Sequence, residues 1–175
     1  MIQNPLFSIF FLTFGIGLGL ALAGNSLQEG SKAPDFTLAD QNGVQHTLSD
    51  YLGQWVLVYF YPKDDTPGCT KEACTFRDRY EDFKTAELKV FGISTDGIDS
   101  HKEFAEKFRL PFSLLADSSA DVTKLYGVKQ PLINIAKRHS FLIGPEGNIR
   151  KIYEDVTPAD HPEEILQDLK MLKNE

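Results

Sequence analysis

The sequence has only two cysteines, Cys69 and Cys74, and it lacks any run of basic residues. Two cysteines exclude a disulfide-rich scaffold. A net charge of −7 without interleaved basic and aromatic residues argues against nucleic acid as a partner. Internal repeats and low-complexity tracts are also missing, which excludes solenoid and fibrous architectures. The 175 residues, 42% hydrophobic and 25% charged, are typical of one globular domain.

A metal-binding pattern is missing as well. The four histidines, His46, His101, His139 and His161, form no ligand-like spacing with one another or with the cysteines. No motif requires a flavin, a haem or another bound group. We therefore expect a protein that works without a metal or a cofactor.

Charge is absent from the first 28 residues, since no charged side chain precedes Glu29. Residues 6–23 are nearly all apolar, and Ala21 and Ala23 give the small-x-small pattern of a signal-peptidase site. However, the segment has no Lys or Arg, and its apolar run exceeds the ~7–15 residues of a signal core. Its length approaches the ~17–25 residues of a membrane span.

We therefore predict that residues 1–23 are an export signal that is cleaved. An uncleaved membrane anchor is the alternative, and a buried helix is disfavoured by three glycines in the segment. Residues 24–30 would then be a short tether before a domain over residues 31–175. Either reading places the domain outside the cytoplasm or at a membrane, and contact with a membrane is expected only if the segment stays attached.

Alternating strand and helix patterns predict an α/β fold. Residues 55–61 ("WVLVYFY") and 88–94 ("LKVFGIS") are typical of buried strands. One helix predicted over residues 71–86 would connect them as a parallel, right-handed βαβ unit. The other predicted elements are a hairpin over 36–48, a helix over 99–109, short elements at 113–115 and 120–126, strands at 139–143 and 148–153, and a last helix with Pro162 in its first turn.

This order of elements predicts a layered sheet with helices on both faces. The loop over residues 62–74, which holds both cysteines, would then follow a central strand. Open α/β sheets place their functional sites at the carboxyl ends of such strands.

The start of the helix explains the position of Cys69. Thr66 is a suitable N-cap and Pro67 suits the first helical position, so Cys69 is the third helical residue. Free backbone N–H groups and the positive end of the helix dipole favour an anion there, and thus a thiolate. No histidine lies between residues 47 and 100, so the local sequence favours electrostatic activation over a Cys–His pair.

Cys74 follows five residues later on the same predicted helix. In an ideal helix this spacing separates the two Cα atoms by about 8.6 Å, whereas a disulfide requires about 4.4–6.8 Å. The helix must unwind before the cysteines can pair, which suits a transient catalytic disulfide. A structural disulfide is the alternative, because cysteine pairs in exported proteins are commonly of that kind.

The stretch "FYPKDDTPGCTKEACTFRD" resembles the peroxiredoxins, in the subgroup called bacterioferritin comigratory protein in bacteria and peroxiredoxin Q in plants. The similarity extends through "GSKAPDFTLADQNG", "FGISTDGIDSHKEFAEKFRLPFSLLAD" and "RHSFLIGPEGNIRKI", and so covers nearly all of the chain from Gly30. The resemblance implies a thioredoxin-like fold, with a central mixed sheet flanked by helices. It also implies reduction of hydrogen peroxide and organic hydroperoxides, with recycling by thioredoxin or a thioredoxin-like reductant.

Matched residue by residue, the resemblance implies that Cys69 is the peroxidatic cysteine, which forms a sulfenic acid. Cys74 would be the resolving cysteine, which forms an intramolecular Cys69–Cys74 disulfide. Thr66 would supply a hydroxyl to thiolate and peroxide, and Pro62 a ring that shields the pocket. Arg138 would stabilise the thiolate and orient the peroxide; the alternative for Arg138 is a solvated surface charge. An intramolecular resolving thiol removes one reason to dimerise, so we expect a monomer.

Two other functions fit parts of the pattern. A membrane-tethered, thioredoxin-like copper-binding protein would also combine an apolar N-terminus with two nearby cysteines, but such proteins prefer a spacing of four and a distal histidine. General disulfide exchange is disfavoured because Cys-x-x-Cys is absent.

Overall fold

The computed structural model describes residues 27–174 and is built on a five-stranded mixed sheet. A separate antiparallel hairpin, β1 (Thr37–Ala39) and β2 (Gln45–Thr47), precedes it and turns at Gly43, where φ is +78°. The sheet strands are β3 (Trp55–Phe60), β4 (Leu88–Ser94), β5 (Ser113–Ala116), β6 (His139–Ile143) and β7 (Ile149–Tyr153). Their spatial order is β5-β4-β3-β6-β7, with β4 parallel to β3 and to β5 and with β6 antiparallel to β3 and to β7.

The helices are α1 (Pro67–Asp78), α2 (Tyr80–Thr85), α3 (Ile98–Phe108), α4 (Asp121–Leu125) and α5 (His161–Leu172). The predicted strands, the hairpin, the helix that became α3 and the proline-initiated last helix are confirmed to within a few residues. The prediction of a single helix over residues 71–86 was wrong, because the chain bends at Arg79, where φ is −106° and ψ is 12°. The bend lets Phe76 and Phe83 both enter the core, with ring centroids 5.6 Å apart.

The central strand β3 is buried along its whole length, as its apolar sequence predicts. Its side chains alternate between two cores, one on each face of the sheet. Leu57 and Tyr59 pack with residues of α1, α2, α3 and α5, whereas Val58 and Phe60 pack with residues next to the hairpin and α4. Full burial of each large apolar side chain contributes about 1.5–3 kcal/mol, so the two cores fix the sheet against its helices.

The register of β6 brings distant parts of the sequence to one edge of the sheet. Because β6 is antiparallel to β3, its first residue, His139, pairs with the last residue of β3, Phe60. Arg138 immediately precedes His139, and the loop that leads to α1 immediately follows Phe60. The carboxyl end of β3 therefore collects the start of α1 and Arg138.

The predicted signal or anchor, residues 1–23, and the first part of the tether lie outside the described residues. Between Leu27 and Asn174, the helices are all too short or too polar to span a bilayer.

Candidate active site

Cys69 lies in the first turn of α1, where the helix begins beside the end of β3. Thr66 is the N-cap residue, with the extended backbone angles φ −89° and ψ 150°, and Pro67 begins the helix. Cys69 is therefore the third helical residue, as predicted from the sequence, and its surface is only 3% exposed. The unpaired N–H groups of a helix start and its positive dipole end favour an anionic sulfur at this position.

Arg138, which precedes β6 at the same edge of the sheet, contacts Cys69. Its Nη2 atom donates a hydrogen bond to the Cys69 sulfur at 3.3 Å. Its Nη1 atom pairs with the carboxylate of Glu72. A Cβ atom at Gly68 would lie 3.2 Å from Nη2, tighter than most such contacts, so the glycine leaves room for the guanidinium. Arg138 is half-buried, so it is not the solvated surface charge that the sequence analysis gave as the alternative.

Glu72 was missed by the sequence analysis. It is fully buried and lies one turn after Cys69, on the same face of α1. Burial raises the pKa of its carboxyl to about 7, although the nearby Arg138 charge opposes the shift. Its Oε1 atom has no hydrogen-bond partner among residues 27–174. The i, i+3 spacing from Cys69 was the only available signal, and many exposed glutamates share such a spacing.

The two other predicted site residues lie in the loop before the helix. Pro62 is half-buried, and Thr66 is partly exposed. The Thr66 hydroxyl does not cap α1 in this structure; it donates to the carbonyl oxygen of Lys63 at 3.0 Å. Thr66 thus occupies the predicted N-cap position through its backbone conformation.

Cys74 is half-buried on the same unbroken helix, and both cysteines are free thiols. An ideal helix separates such a pair by about 8.6 Å at Cα. The first turns of α1 must therefore open before the two sulfurs can bond. The second half of α1 is held more firmly, because Thr75 Oγ1 donates to Pro158 O at 2.8 Å and Arg77 Nη1 to Phe108 O at 2.8 Å.

His161 packs beneath α1, with its ring centroid 5.6 Å from that of Phe76. Its Nε2 atom is 2.9 Å from Ser140 Oγ. Burial, assisted by the charge of Arg138, lowers the pKa of His161 to about 4. Because the His161 ring is neutral, Arg138 is the cation nearest to Cys69 among the contacts described above. No group of three or more histidine, cysteine or acidic residues is placed to hold a metal ion in the described part of the chain.

Known proteins share this architecture. The AhpC/TSA family matches residues 30–152. The chloroplastic peroxiredoxin Q of Sedum lineare is 46% identical over 147 residues, which are 83% of this chain and 79% of that protein.

Among solved structures, a cysteine-to-serine mutant of PrxQ from Xylella fastidiosa superposes with a TM-score of 0.80 at 32% identity, over 86% of this chain and 99% of that one. A bacterioferritin comigratory protein from Xanthomonas campestris, described for its alkyl peroxide reduction activity, gives a TM-score of 0.77 at 30% identity, over 83% and 99%.

The raised pKa of Glu72 predicts a pH effect on stability. Between its ordinary pKa of 4.5 and about 7, the folded chain holds this proton while the unfolded chain releases it. The contribution of Glu72 to the free energy of unfolding therefore falls as the pH rises through this window. Glu72→Gln should lose less stability than the wild type between about pH 5 and about pH 8, as measured by urea unfolding of the reduced protein.

Glu163→Gln is the matched control, because this exposed carboxylate pairs with Arg79 at the surface. The control should keep the wild-type pH dependence. A Glu72→Gln variant whose stability follows the wild-type pH dependence would show that the buried carboxyl does not titrate in this range.

Proposed function

Because this chain belongs to the AhpC/TSA family and to its peroxiredoxin Q subgroup, thiol peroxidases that depend on thioredoxin, we propose that Cys69 is the peroxidatic and Cys74 the resolving cysteine. The observation that carries this assignment is the hydrogen bond from Arg138 Nη2 to the Cys69 sulfur. It gives the thiolate a cationic partner at the positive end of a helix, where negative charge is already favoured. Cys74 has a guanidinium neighbour of its own, Arg77, but it lies in the second turn of α1 or beyond, away from the free N–H groups and the positive dipole end of the helix start.

The first step forms an S–O bond and breaks the O–O bond of the hydroperoxide. The Cys69 thiolate attacks the terminal peroxide oxygen, becomes a sulfenic acid, and releases an alkoxide or hydroxide that takes up a proton. Arg138 and the N–H groups at the start of α1 stabilise the negative charge as it moves from sulfur to the leaving oxygen. Pro62 shields the thiolate from water, and the Thr66 hydroxyl turns from Lys63 to the peroxide.

The second step joins the two cysteines. The first turns of α1 open, the Cys74 sulfur attacks the sulfenic sulfur, and water leaves as the Cys69–Cys74 disulfide forms. The second half of α1 is held in place by the hydrogen bonds of Thr75 and Arg77. Cys69 is therefore the cysteine that moves towards its partner. A thioredoxin-like dithiol then reduces the disulfide by exchange, and the monomer needs no metal or cofactor.

The substrates are hydrogen peroxide and organic hydroperoxides. The Xanthomonas campestris relative, described for alkyl peroxide reduction, supports the second class. Because Cys69 is only 3% exposed, the terminal oxygen of the substrate must reach a nearly buried residue.

Intact mass after one equivalent of hydrogen peroxide tests the assignment of the cysteines. The wild type should lose two hydrogens and both free thiols within the mixing time. Cys74→Ser should gain one oxygen at Cys69 and then stop, while Cys69→Ser should keep its mass. Full turnover with thioredoxin in the absence of Cys74 would mean that another thiol resolves the sulfenic acid, and oxidation of Cys69→Ser at the wild-type rate would reject the peroxidatic role.

Arg138 and its neighbour Lys137 form a matched pair of cations, because only Arg138 contacts Cys69. Arg138→Met should lower the second-order rate constant with hydrogen peroxide by roughly 10²–10³-fold, the usual cost of one lost charge-stabilising donor. Arg138→Lys keeps a charge but loses the bidentate guanidinium, so its rate constant should lie between those of Arg138→Met and the wild type. Lys137→Met should react like the wild type, and equal losses in both positions would point to a general effect of surface charge.

We further propose that residues 1–23 direct the domain out of the cytoplasm. The apolar run over 6–23 and the Ala21–Ala23 pattern support a cleaved signal. Chemical sequencing of the protein from its native cell should find a start near Gly24. A Met1 start in the membrane fraction would indicate an anchor instead, and a Met1 start in the soluble fraction would contradict both readings.

A further inference from the structure

A buried polar cluster holds the loop that carries Pro62 and Thr66. Asp64 lies at its centre and is 7% exposed. Its backbone N–H donates to Asp96 Oδ2 at 2.8 Å, which ties the loop to the segment after β4. Its side chain lies among donors from Tyr61, which directly follows β3, and from Ser100 and His101 of α3.

Three side chains donate to the Asp64 carboxylate. Tyr61 Oη donates to Oδ1 at 2.7 Å, Ser100 Oγ to Oδ2 at 2.7 Å, and His101 Nδ1 to Oδ2 at 2.8 Å. Burial alone would raise the pKa of Asp64, but the hydrogen bonds from His101, Ser100 and Tyr61 outweigh it and hold the pKa below its ordinary value. Both carboxylate oxygens therefore accept hydrogen bonds, Oδ1 from Tyr61 and Oδ2 from Ser100 and His101.

His101 connects the loop to the sheet. The ring is completely buried, with Nδ1 on Asp64 and Nε2 3.2 Å from the carbonyl oxygen of Leu115 in β5. Nδ1 faces a carboxylate oxygen and Nε2 faces a backbone carbonyl oxygen, so each ring nitrogen lies against an acceptor. A ring that is held at both nitrogens between β5 and the loop cannot rotate without breaking a buried hydrogen bond.

The chain turns sharply directly after this anchor. Asp65 has a φ of +54°, in the left-handed region, and its carboxylate pairs with Lys107 of α3 at 2.5 Å. Thr66 and α1 follow at once. The direction in which α1 starts, and so the side on which Cys69 faces Arg138, depends on where Asp64 is held.

We propose that Ser100 and His101 are positioning residues for the peroxide reaction, which act through Asp64 to hold the loop so that Cys69 lies against Arg138. The proposal rests on the proposed role of Cys69. Neither residue reaches the thiol, and their effect passes through the two residues that separate Asp64 from the helix start. A displacement of about 1 Å at a reacting group can cost about 10²-fold in rate, so a modest loosening of the loop is sufficient.

Two rates measured on the same thiol separate positioning from general stability. In a Cys74→Ser background, Ser100→Ala and His101→Gln are compared for oxidation of Cys69 by hydrogen peroxide and for its alkylation by iodoacetamide. Loss of the anchor should slow oxidation by roughly 10-fold or more, because Cys69 leaves Arg138. It should also speed alkylation, because a thiol that is now 3% exposed becomes accessible.

His46→Gln is the matched control. His46 Nε2 lies 3.1 Å from Asp40 Oδ2, a second Asp–His pair of similar geometry on the β1–β2 hairpin. Its loss should lower the melting temperature and leave both rates at Cys69 unchanged.

Opposite shifts of the two rates in Ser100→Ala or His101→Gln, with no shift in His46→Gln, support the proposal. Two unchanged rates, as expected for the control, or two rates that fall together, overturn it. If His101→Gln fails to fold, Ser100→Ala alone decides. A wild-type Cys69 that peroxide does not oxidise would defeat the proposed function instead, and the alkylation rates would still report whether the anchor holds Cys69 in place.

Discussion

One guanidinium joins the two halves of this site. Arg138 contacts both the Cys69 sulfur and the buried carboxylate of Glu72, so a residue next to β6 bonds two successive turns of α1. A buried carboxylate without a partner would be strongly unfavourable, and a thiolate without one would lose part of its stabilisation. The position of β6 beside β3, set by packing on both faces of the sheet, is what makes this contact possible.

The helix that carries both cysteines is held unevenly along its length. Ala73 and Phe76 are buried in the core, and Thr75 and Arg77 bond to segments outside the helix. In the first turn, Cys69 accepts a hydrogen bond from Arg138. In the proposed mechanism, oxidation of that sulfur to a neutral sulfenic acid weakens this contact and so loosens the part of the helix that must open next.

The sequence predicted those features that depend on local signals. The N-cap at Thr66, the proline start of α1, the buried strand β3 and the Asn42-Gly43 turn follow from residues close together in the chain, and each is confirmed. The bend at Arg79 was missed because Phe76 and Phe83, on either side of it, keep the spacing of one helix face and give no local sign of a break between them. Nothing local distinguishes Glu72 from an exposed helical glutamate, since its partner Arg138 lies 66 positions away in the chain.

The buried Asp64–His101 pair was beyond sequence reasoning for the same reason. Asp64 accepts hydrogen bonds from Tyr61, which directly follows β3, and from Ser100 and His101 of α3, while Asp65 pairs with Lys107. The resemblance to peroxiredoxins supplied Arg138 as a candidate, but its partner Glu72 emerged only from three-dimensional contacts.

The distance along the chain between Cys69 and Arg138 has a consequence for biosynthesis. The two residues are 69 positions apart, and β6 must pair with β3 before they meet. Contacts between such distant residues form late during folding, because the loop between them must first be closed. A ribosome-bound chain that already displays both cysteines but not yet β6 therefore lacks the contact between Arg138 and Cys69, and this half of the proposed site is completed only after residue 138 has been made.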